Sequence, residues 1–350
     1  MAIFALALTK CFNLTMEINY KIQFPGMMKG KTILYVHGFA SSGQSGTVVK
    51  LREMLPGATV VAPDLPLHPE EAMALLRDVC SKENPDLIIG TSMGGMYAEM
   101  LYGHDRILVN PAFEMGETMY KHGHVGKNTY HSRRLDGVQD FILTKAMVEE
   151  YKVVTEQCFS GADGEDAGVQ VYGLFGDEDP IVHTRDMFAA HYRNAISFHG
   201  EHYMNDKVLL HSLIPVVQWI DDRQDGRVRP IVYISIDALR DARGAQHSSA
   251  MKAYRFLLEN YTVYVVAPSP TNEPEYIAGV TAWVNDIVNV PAWNHIVFTN
   301  RKDLLYGDYL VDPSADLGAA DFVGTRIVFG DDTFKTWEEI IEFFGRLGGQ

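Results

Sequence analysis

The segment Gly90-Thr91-Ser92-Met93-Gly94 carries the strongest chemical signal in the sequence. It follows the apolar run DLII and precedes the helical run GMYAEMLY, so its serine lies between a predicted strand and a predicted helix. In a G-x-S-x-G turn of this kind the serine hydroxyl is lifted clear of the sheet, and side chains in place of the glycines would collide with the neighbouring strand and helix. The sequence therefore predicts that Ser92 is a nucleophile.

A serine nucleophile needs a base to remove its proton and an acid to orient that base, and both follow here in the order Ser, Asp, His. Asp179 comes after the predicted strand VQVYGLF, with Asp177 as its substitute. His202 follows the next predicted strand, AISF, and is preferred to His199, which is assigned to the strand end. The pattern predicts a triad of Ser92, Asp179 and His202, and leaves Asp177 and His199 open as alternatives.

The negative oxygen of a tetrahedral intermediate needs two backbone N–H donors, one of them from the loop after an earlier strand. The segment ILYVHGFASSG supplies that loop. Its Phe39, or alternatively Ala40, is predicted to donate together with Met93. His37 precedes the serine and lies in the turn, so we interpret it as structural and not as the base.

Short β-rich runs alternate with helical stretches along the whole chain, which predicts an α/β fold of parallel strands and crossover helices. The predicted strands begin at Thr32, Thr59, Asp86, Arg106, Val169 and Ala195, and then at Ile231, Thr262, His295 and Thr325. Residues 113–166 lose strand patterning and are interpreted as a lid over the site. Its His122, His124 and His131 lack a clear carboxylate or cysteine partner, which favours solvated or substrate-facing side chains over a metal site.

A length of 350 residues is enough for about two domains. The polar, strand-free run DDRQDGRVRP is the best boundary between them. The sequence therefore predicts a first domain at 1–222 with a lid at about 113–166, a linker at 223–230 and a second domain at 231–350.

The stretch from Ile33 to Ile220, with YVHGFASS, GTSMGG, LVNPAF and GDEDPIV, resembles the small YqiA/YcfP-like esterases of the α/β-hydrolase superfamily. The resemblance covers over half of the chain and implies an α/β-hydrolase fold. It also implies hydrolysis of a small-molecule carboxylester or thioester through an acyl-enzyme, with no cofactor. Ser92 would be the nucleophile, His202 the base and then the acid, and Asp179 the residue that orients His202.

From Ile231 onward, IVYISIDAL, NHIVFTNRKDLLYGDYLVD and GAADFVGTRIVFG resemble the 5′(3′)-deoxyribonucleotidase branch of the haloacid dehalogenase superfamily. That resemblance implies a Rossmann-like fold and a magnesium and nucleotide or phosphate site at Asp237, Lys302 and Asp312. The family's aspartate nucleophile is replaced by Ser235, which cannot form an aspartyl-phosphate and removes an anionic oxygen from the metal shell. We therefore expect a catalytically degenerate region. A magnesium-dependent 5′-nucleotidase and a non-catalytic nucleotide-binding or scaffolding protein are the alternatives to the hydrolase.

Composition restricts the possible partners and the compartment. With 30 Lys and Arg against 45 Asp and Glu, the net charge of −15 disfavours nucleic acid and anionic membranes as partners. Cys11, Cys80 and Cys158 are odd in number and far apart, which indicates a reducing, cytoplasmic location. The opening MAIFALALTKC lacks the basic start of a signal peptide, and we interpret it as an upstream start before Met16 or as a first edge strand. No apolar run reaches the roughly 18 residues that a membrane span requires.

Overall fold

A computed structural model describes residues 22–122, 125–162, 164, 166 and 168–347 of the chain. The opening segment with Cys11, and His124 of the predicted lid, lie outside the described residues. The strands are β1 (Thr32–Val36), β2 (Thr59–Val61), β3 (Leu87–Thr91), β4 (Arg106–Val109), β5 (Gly126–Thr129), β6 (Asp140–Leu143), β7 (Val171–Gly176), β8 (Asn194–Phe198), β9 (Ile231–Ser235), β10 (Thr262–Ala267), β11 (Ile296–Phe298), β12 (Tyr309–Val311) and β13 (Thr325–Ile327).

Helices connect most of these strands. They are α1 (Gly46–Met54), α2 (Pro69–Glu83), α3 (Met93–Glu99), α4 (Met115–Lys121), α5 (Lys145–Thr155), α6 (Arg185–Ala189), α7 (Asp206–Val208), α8 (Ile214–Gln224), α9 (Ile236–Leu239), α10 (Ala250–Leu258), α11 (Pro274–Ile287) and α12 (Trp337–Leu347). A π-helical turn at Leu209–Leu213 joins α7 to α8. Within the described part of the chain, no helix is long and apolar enough to cross a membrane.

The first sheet has the order β2-β1-β3-β4-β7-β8, and all its neighbouring strands are parallel. Its strands are apolar runs because helices cover both faces, as parallel sheets require. Adjacent residues of β1 show this, since Leu34 packs into the core on one face and Ile33 into the core on the other. The α/β fold class predicted from the sequence is confirmed.

The predicted lid contains regular structure that the sequence analysis did not find. Strands β5 and β6 form an antiparallel hairpin within 113–166, so the expectation that this stretch lacks strands was wrong. Each strand is four residues long, and β5 reads GKNT without an apolar residue, so only β6, which reads DFIL, carries an apolar signal. Phe141 and Leu143 of β6 pack into the first core together with Tyr151 of α5. The hairpin is thereby anchored to the body of the fold.

The second sheet has the order β11-β10-β9-β12-β13 and is also parallel throughout. The central strand β9 pairs with β10 on one side and β12 on the other, so the chain reverses its direction of winding at β9. Strand β12 was missing from the predicted strands because only three residues pair within the polar stretch that contains it. A crevice at such a switch point, at the carboxyl ends of the strands, is the usual place for a ligand site in open α/β sheets.

The two sheets are joined by apolar packing as well as by the chain itself. The indole rings of Trp219 in α8 and Trp293, which follows α11, lie 6.2 Å apart between centroids. Val290, from the same segment as Trp293, is buried in the second core of the first sheet. The side chain of Gln218 donates a hydrogen bond to the carbonyl of Leu258 at the end of α10. Residues of the second half therefore complete the core of the first.

Candidate active site

Ser92 lies in a strained turn between β3 and α3. Its φ of 54° and ψ of −120° are a conformation that a residue with a side chain rarely adopts without a functional reason. The turn needs glycine on both sides: a Cβ at Gly94 would lie 2.0 Å from the carbonyl oxygen of Val36, and one at Gly90 would lie 2.3 Å from that of Gly94. The sequence G-x-S-x-G thus fixes this turn by steric exclusion, and the half-buried Ser92 sits at the carboxyl end of β3.

His202 bridges Ser92 and Asp179 with its two ring nitrogens. Its Nε2 lies 2.9 Å from Oγ of Ser92, and its Nδ1 lies 2.8 Å from Oδ2 of Asp179. The side chain of His202 is 7% exposed and that of Asp179 is 1% exposed. In this geometry Nδ1 is placed to donate to the carboxylate, and Nε2 is placed to accept the Ser92 hydroxyl proton. The structure therefore brings together the three residues that the sequence selected.

The carboxylate of Asp179 is held in its ionised form. Burial alone would raise its pKa, but hydrogen bonds from His202 and from the backbone N–H groups of Ile181 and Val182 lower that pKa below its ordinary value. One oxygen, Oδ1, accepts both backbone hydrogen bonds, which leaves Oδ2 for His202. The negative charge next to the imidazole favours the positive charge that the ring would gain on taking a proton.

The alternative acid and base form a separate pair. Nδ1 of His199 lies 2.5 Å from Oδ2 of Asp177, and its Nε2 lies 3.1 Å from the carbonyl of Asp286 in α11. Both ring nitrogens of His199 are thus engaged away from Ser92, and the residue is exposed. The geometry joins Asp179 and His202, and not Asp177 and His199, to Ser92.

The loop predicted to supply an oxyanion donor passes next to Ser92. A Cβ at Gly38 would lie 3.3 Å from Cβ of Ser92, and Phe39 and Ala40 follow directly. Met93, the other predicted donor, begins α3 immediately after the serine. The predicted lid contacts the same loop, because the backbone N–H of His131 donates to the carbonyl of Ala40.

His37 is locked in a structural role by its two hydrogen bonds. Nδ1 donates to the carbonyl of Gly38, and Nε2 accepts from the backbone N–H of Leu65. Burial lowers the pKa of His37 to about 4, so the ring is neutral at ordinary pH. With both nitrogens occupied, it has no position free to act as a base.

One side chain at this edge was missed as a candidate. Asn110 appears in the sequence analysis only within the motif LVNPAF, yet it contacts both loops that carry the acid and the base. Its Nδ2 donates to the carbonyls of Glu201 and His202, and its Oδ1 accepts from the N–H of Gly176. The available signal was its position directly after β4, between the strands that carry Ser92 and Asp179.

The second sheet brings together only part of its predicted site. Lys302 and Asp312, both buried, form an ion pair with Nζ and Oδ2 2.5 Å apart. Ser235 is fully buried at the end of β9, and its Oγ has no hydrogen-bond partner among the described residues. Asp237 is exposed in α9 and does not join this pair.

The residues at this edge do not fit the magnesium ion that the nucleotidase resemblance implies. The ammonium group of Lys302 occupies Oδ2 of Asp312, and the backbone N–H of Ser314 donates to Oδ1. Ser235 offers a hydroxyl where magnesium prefers a carboxylate. Among the described residues there is no group of three or more His, Cys, Asp or Glu side chains placed to hold a metal. His122 and His131 of the predicted lid belong to no such group among the described residues.

The parallel order of the first sheet, the strained serine after β3 and the acid and histidine after β7 and β8 define an α/β-hydrolase fold. Residues 32–208 match the family described as "Uncharacterised protein family (UPF0227)", and the chain belongs to that family.

Solved structures with a similar fold include α/β-hydrolases. The enzyme MGS-MChE2, from the metagenome of lagoon sediments at Mar Chica, Morocco, is 13% identical with a TM-score of 0.38, and the match covers 56% of this chain and 93% of that one. Est1E from Butyrivibrio proteoclasticus is 16% identical with a TM-score of 0.38, and the match covers 59% of this chain and 92% of that one.

One curated relative is named as a nucleotidase and not as an esterase. The putative 5′(3′)-deoxyribonucleotidase of Vibrio phage KVP40 is 27% identical over 94 residues, which are 27% of this chain. The matched region spans only 55% of the length of that relative.

Proposed function

We propose that this protein is a serine hydrolase that cleaves a small carboxylester or thioester through an acyl-enzyme on Ser92. The observation that carries the proposal is the unbroken series of hydrogen bonds from Ser92 Oγ through His202 to Asp179. A hydroxyl joined to a base that is itself oriented by a third group is the arrangement that activates a serine for attack.

In the proposed reaction, Ser92 Oγ bonds to the acyl carbon while its proton moves to Nε2 of His202. The backbone N–H groups of Met93 and Phe39 stabilise the negative oxygen of the tetrahedral intermediate. His202 then returns the proton to the departing oxygen or sulfur. Water attacks the acyl-enzyme in the second half, gives its proton to His202 and releases the acid, and the proton returns to Ser92.

We also propose that residues 1–222 form the hydrolase domain, with 113–166 as its lid, and that 231–350 form a second domain joined by 223–230. Helix α8 ends at Gln224 and β9 begins at Ile231, so the chain passes from one sheet to the other within this span. The second domain enters the proposal as non-catalytic, because Ser235 lacks a base and Asp312 is paired with Lys302.

Labelling with a fluorophosphonate probe tests the mechanism, because this reagent phosphonylates an activated serine with loss of fluoride. Mass spectrometry of the modified peptide should place the label on Ser92. The variant Ser92→Ala should remain folded, take up no label and lose at least about 10³-fold of its activity on p-nitrophenyl acetate.

The matched control is Ser235→Ala, which removes the other serine at a strand end. It should be labelled and active like the wild type. Ester hydrolysis that persists in Ser92→Ala would contradict the mechanism, and magnesium-dependent phosphate release from a nucleotide by that variant would favour the nucleotidase instead.

A further inference from the structure

We infer that Asn110 is a positioning residue of the Ser92 site, whose side-chain amide ties the loop that carries His202 to the strand that leads to Asp179. The inference rests on the proposed function. It concerns a residue that touches no reacting atom and acts through the backbone of the base loop.

The place of Asn110 follows from the strand order. Strand β4 lies between β3, which ends before Ser92, and β7, which leads to Asp179. Asn110 comes directly after β4, is 3% exposed and has a φ of 44°. Asparagine tolerates this left-handed conformation better than most residues with a side chain. The amide therefore lies at the centre of the edge that carries the triad.

The Asn110 amide forms three hydrogen bonds, two from its NH2 group and one to its carbonyl oxygen. Nδ2 donates to the carbonyl oxygens of Glu201 at 3.1 Å and His202 at 3.0 Å. Oδ1 accepts from the backbone N–H of Gly176, the last residue of β7, at 2.7 Å. Only a side chain with two N–H donors and one acceptor can make this set. An aspartate keeps the acceptor but loses both donors.

The backbone on either side of Asn110 forms hydrogen bonds with the backbone of Ser92. The N–H of Ser92 donates to the carbonyl of Val109, and the N–H of Ala112 donates to the carbonyl of Ser92. One short segment therefore holds the backbone of Ser92 directly and the backbone of His202 through the Asn110 amide. The separation of these two residues, on which proton transfer depends, is set by 109–112.

The Asn110 amide is not needed for the pairing of β4 with β7. The backbone N–H of Asn110 donates to the carbonyl of Leu174, which keeps β4 and β7 in register without the side chain. On the solvent side of the base loop, Glu201 and Tyr203 are exposed. The inner carbonyls of this loop are therefore held by Asn110, while Asp179 holds the ring of His202.

The test uses Asn110→Gly, which removes the amide and tolerates the positive φ, and Asn110→Asp, which keeps the acceptor for Gly176. We expect both to lower kcat for p-nitrophenyl acetate and the labelling rate of Ser92 by about 10- to 100-fold, with KM changed by no more than about twofold. Rates are normalised to the number of sites that label. Asn110→Asp should be no faster than Asn110→Gly.

The matched control is Asn194→Asp, at the opposite end of the first sheet. Nδ2 of Asn194 donates to the carbonyl of Val171, so this variant loses the same kind of hydrogen bond far from Ser92. We expect its kcat to stay within about twofold of the wild type. A kcat of Asn110→Asp equal to that of the wild type would overturn the inference, because the two donors would then be dispensable.

A spectroscopic readout separates this inference from the proposed function. The proton on Nδ1 of His202, held by Asp179, should give a downfield NMR signal that is absent from His202→Gln. Loss or broadening of that signal in Asn110→Gly, with the fold intact, supports positioning even if no ester is hydrolysed. An unchanged signal would contradict positioning, whereas wild-type protein that shows the signal but never labels at Ser92 would contradict only the proposed function.

Discussion

Two serines, Ser92 and Ser235, lie at the carboxyl ends of β3 and β9, and their surroundings are opposite. The hydroxyl of Ser92 is half-buried in a strained turn and meets the ring of His202. The hydroxyl of Ser235 is fully buried, and no described residue hydrogen-bonds to it. The same residue type at the same kind of sheet edge is thus a nucleophile candidate at Ser92 and a buried hydroxyl without a described partner at Ser235. The difference lies in whether a base reaches the hydroxyl.

The hydrolase-like region around the first sheet and the region from Ile231 onward also differ in the contacts of one buried carboxylate each, Asp179 and Asp312. In the hydrolase-like region, Oδ2 of Asp179 contacts the ring of His202 and no cationic side chain is paired with it in the described part of the chain. In the second, Asp312 and Lys302 are buried and compensate each other completely. A buried ion pair of this kind is costly to break, because the remaining charge has no partner and little water. Asp179 thus contacts a titratable ring, whereas Asp312 is paired with a permanent cation.

Replacing Asp by Asn should therefore lower activity in one region and stability in the other. We expect Asp179→Asn to lower kcat by about 10³- to 10⁴-fold with little change in folding, because the amide cannot stabilise the positive ring of His202. Asp312→Asn should leave kcat per labelled site unchanged and lower the free energy of unfolding by about 3 to 5 kcal/mol, because Lys302 loses its counter-charge. Ester turnover and urea unfolding followed by tryptophan fluorescence measure the two effects.

The double variant Lys302→Met with Asp312→Leu checks the cause of the second effect. If the cost comes from one unpaired charge, removing both charges should restore most of the stability lost in the single variant. Equal losses in the single and double variants would mean that packing, and not charge, dominates. Lower ester turnover per labelled site in Asp312→Asn would mean that the two regions are not independent.

The first region was the more predictable one, for a physical reason. Ser92, Asp179 and His202 each follow a strand whose apolar run is visible in the sequence, and parallel strands bring their carboxyl ends to one edge. The glycines around Ser92 are required by contacts within a few residues. Apolar runs and flanking glycines of this kind can be recognised in a single sequence. The α/β fold class could be predicted on the same grounds.

The features that were missed depend on distant partners or on very short segments. The side chain of Asn110 bonds to residues 66 to 92 positions away, so nothing next to it indicates its role. The polar strand β5 has no apolar pattern, and the apolar runs of β6 and β12 are only three residues long, which is too short to indicate a strand. Similarly, the resemblance to nucleotidases implied one site with Lys302 and Asp312 but could not indicate that these two residues form an ion pair with each other.

A pH dependence of stability is also expected, and the buried ring of His37 contributes to it. Burial gives His37 a folded pKa of about 4 against an unfolded value of 6.5, so the unfolded chain takes up a proton first as the pH falls. The contribution is fully present above pH 6.5 and decreases between 6.5 and 4, by roughly 2 kcal/mol at pH 5 and roughly 3 kcal/mol in total. Urea unfolding at pH 7, 6 and 5 should show this loss.

The variant His37→Phe isolates that contribution. It should be less stable than the wild type at pH 7, because the N–H of Leu65 and the carbonyl of Gly38 lose their partner. Its stability should then decrease less steeply than that of the wild type between pH 6.5 and 4. Parallel curves for the two proteins would show that His37 is not the group responsible.

The smallest expected effect tests the inert serine directly. Ser235→Ala removes a buried hydroxyl that has no described partner, so the folded state loses no hydrogen bond and is relieved of a desolvated polar group. We expect the free energy of unfolding to stay the same or rise by up to about 1 kcal/mol. The comparison variant is Ser42→Ala, which removes an equally buried hydroxyl that donates to the carbonyl of Arg133. That variant should lose about 1 to 2 kcal/mol. Urea unfolding of both variants measures this difference in the free energy of unfolding. An equal loss in the two variants would mean that the Ser235 hydroxyl does form a hydrogen bond. Ser235 and Ser92 would then differ only in whether a base reaches the hydroxyl.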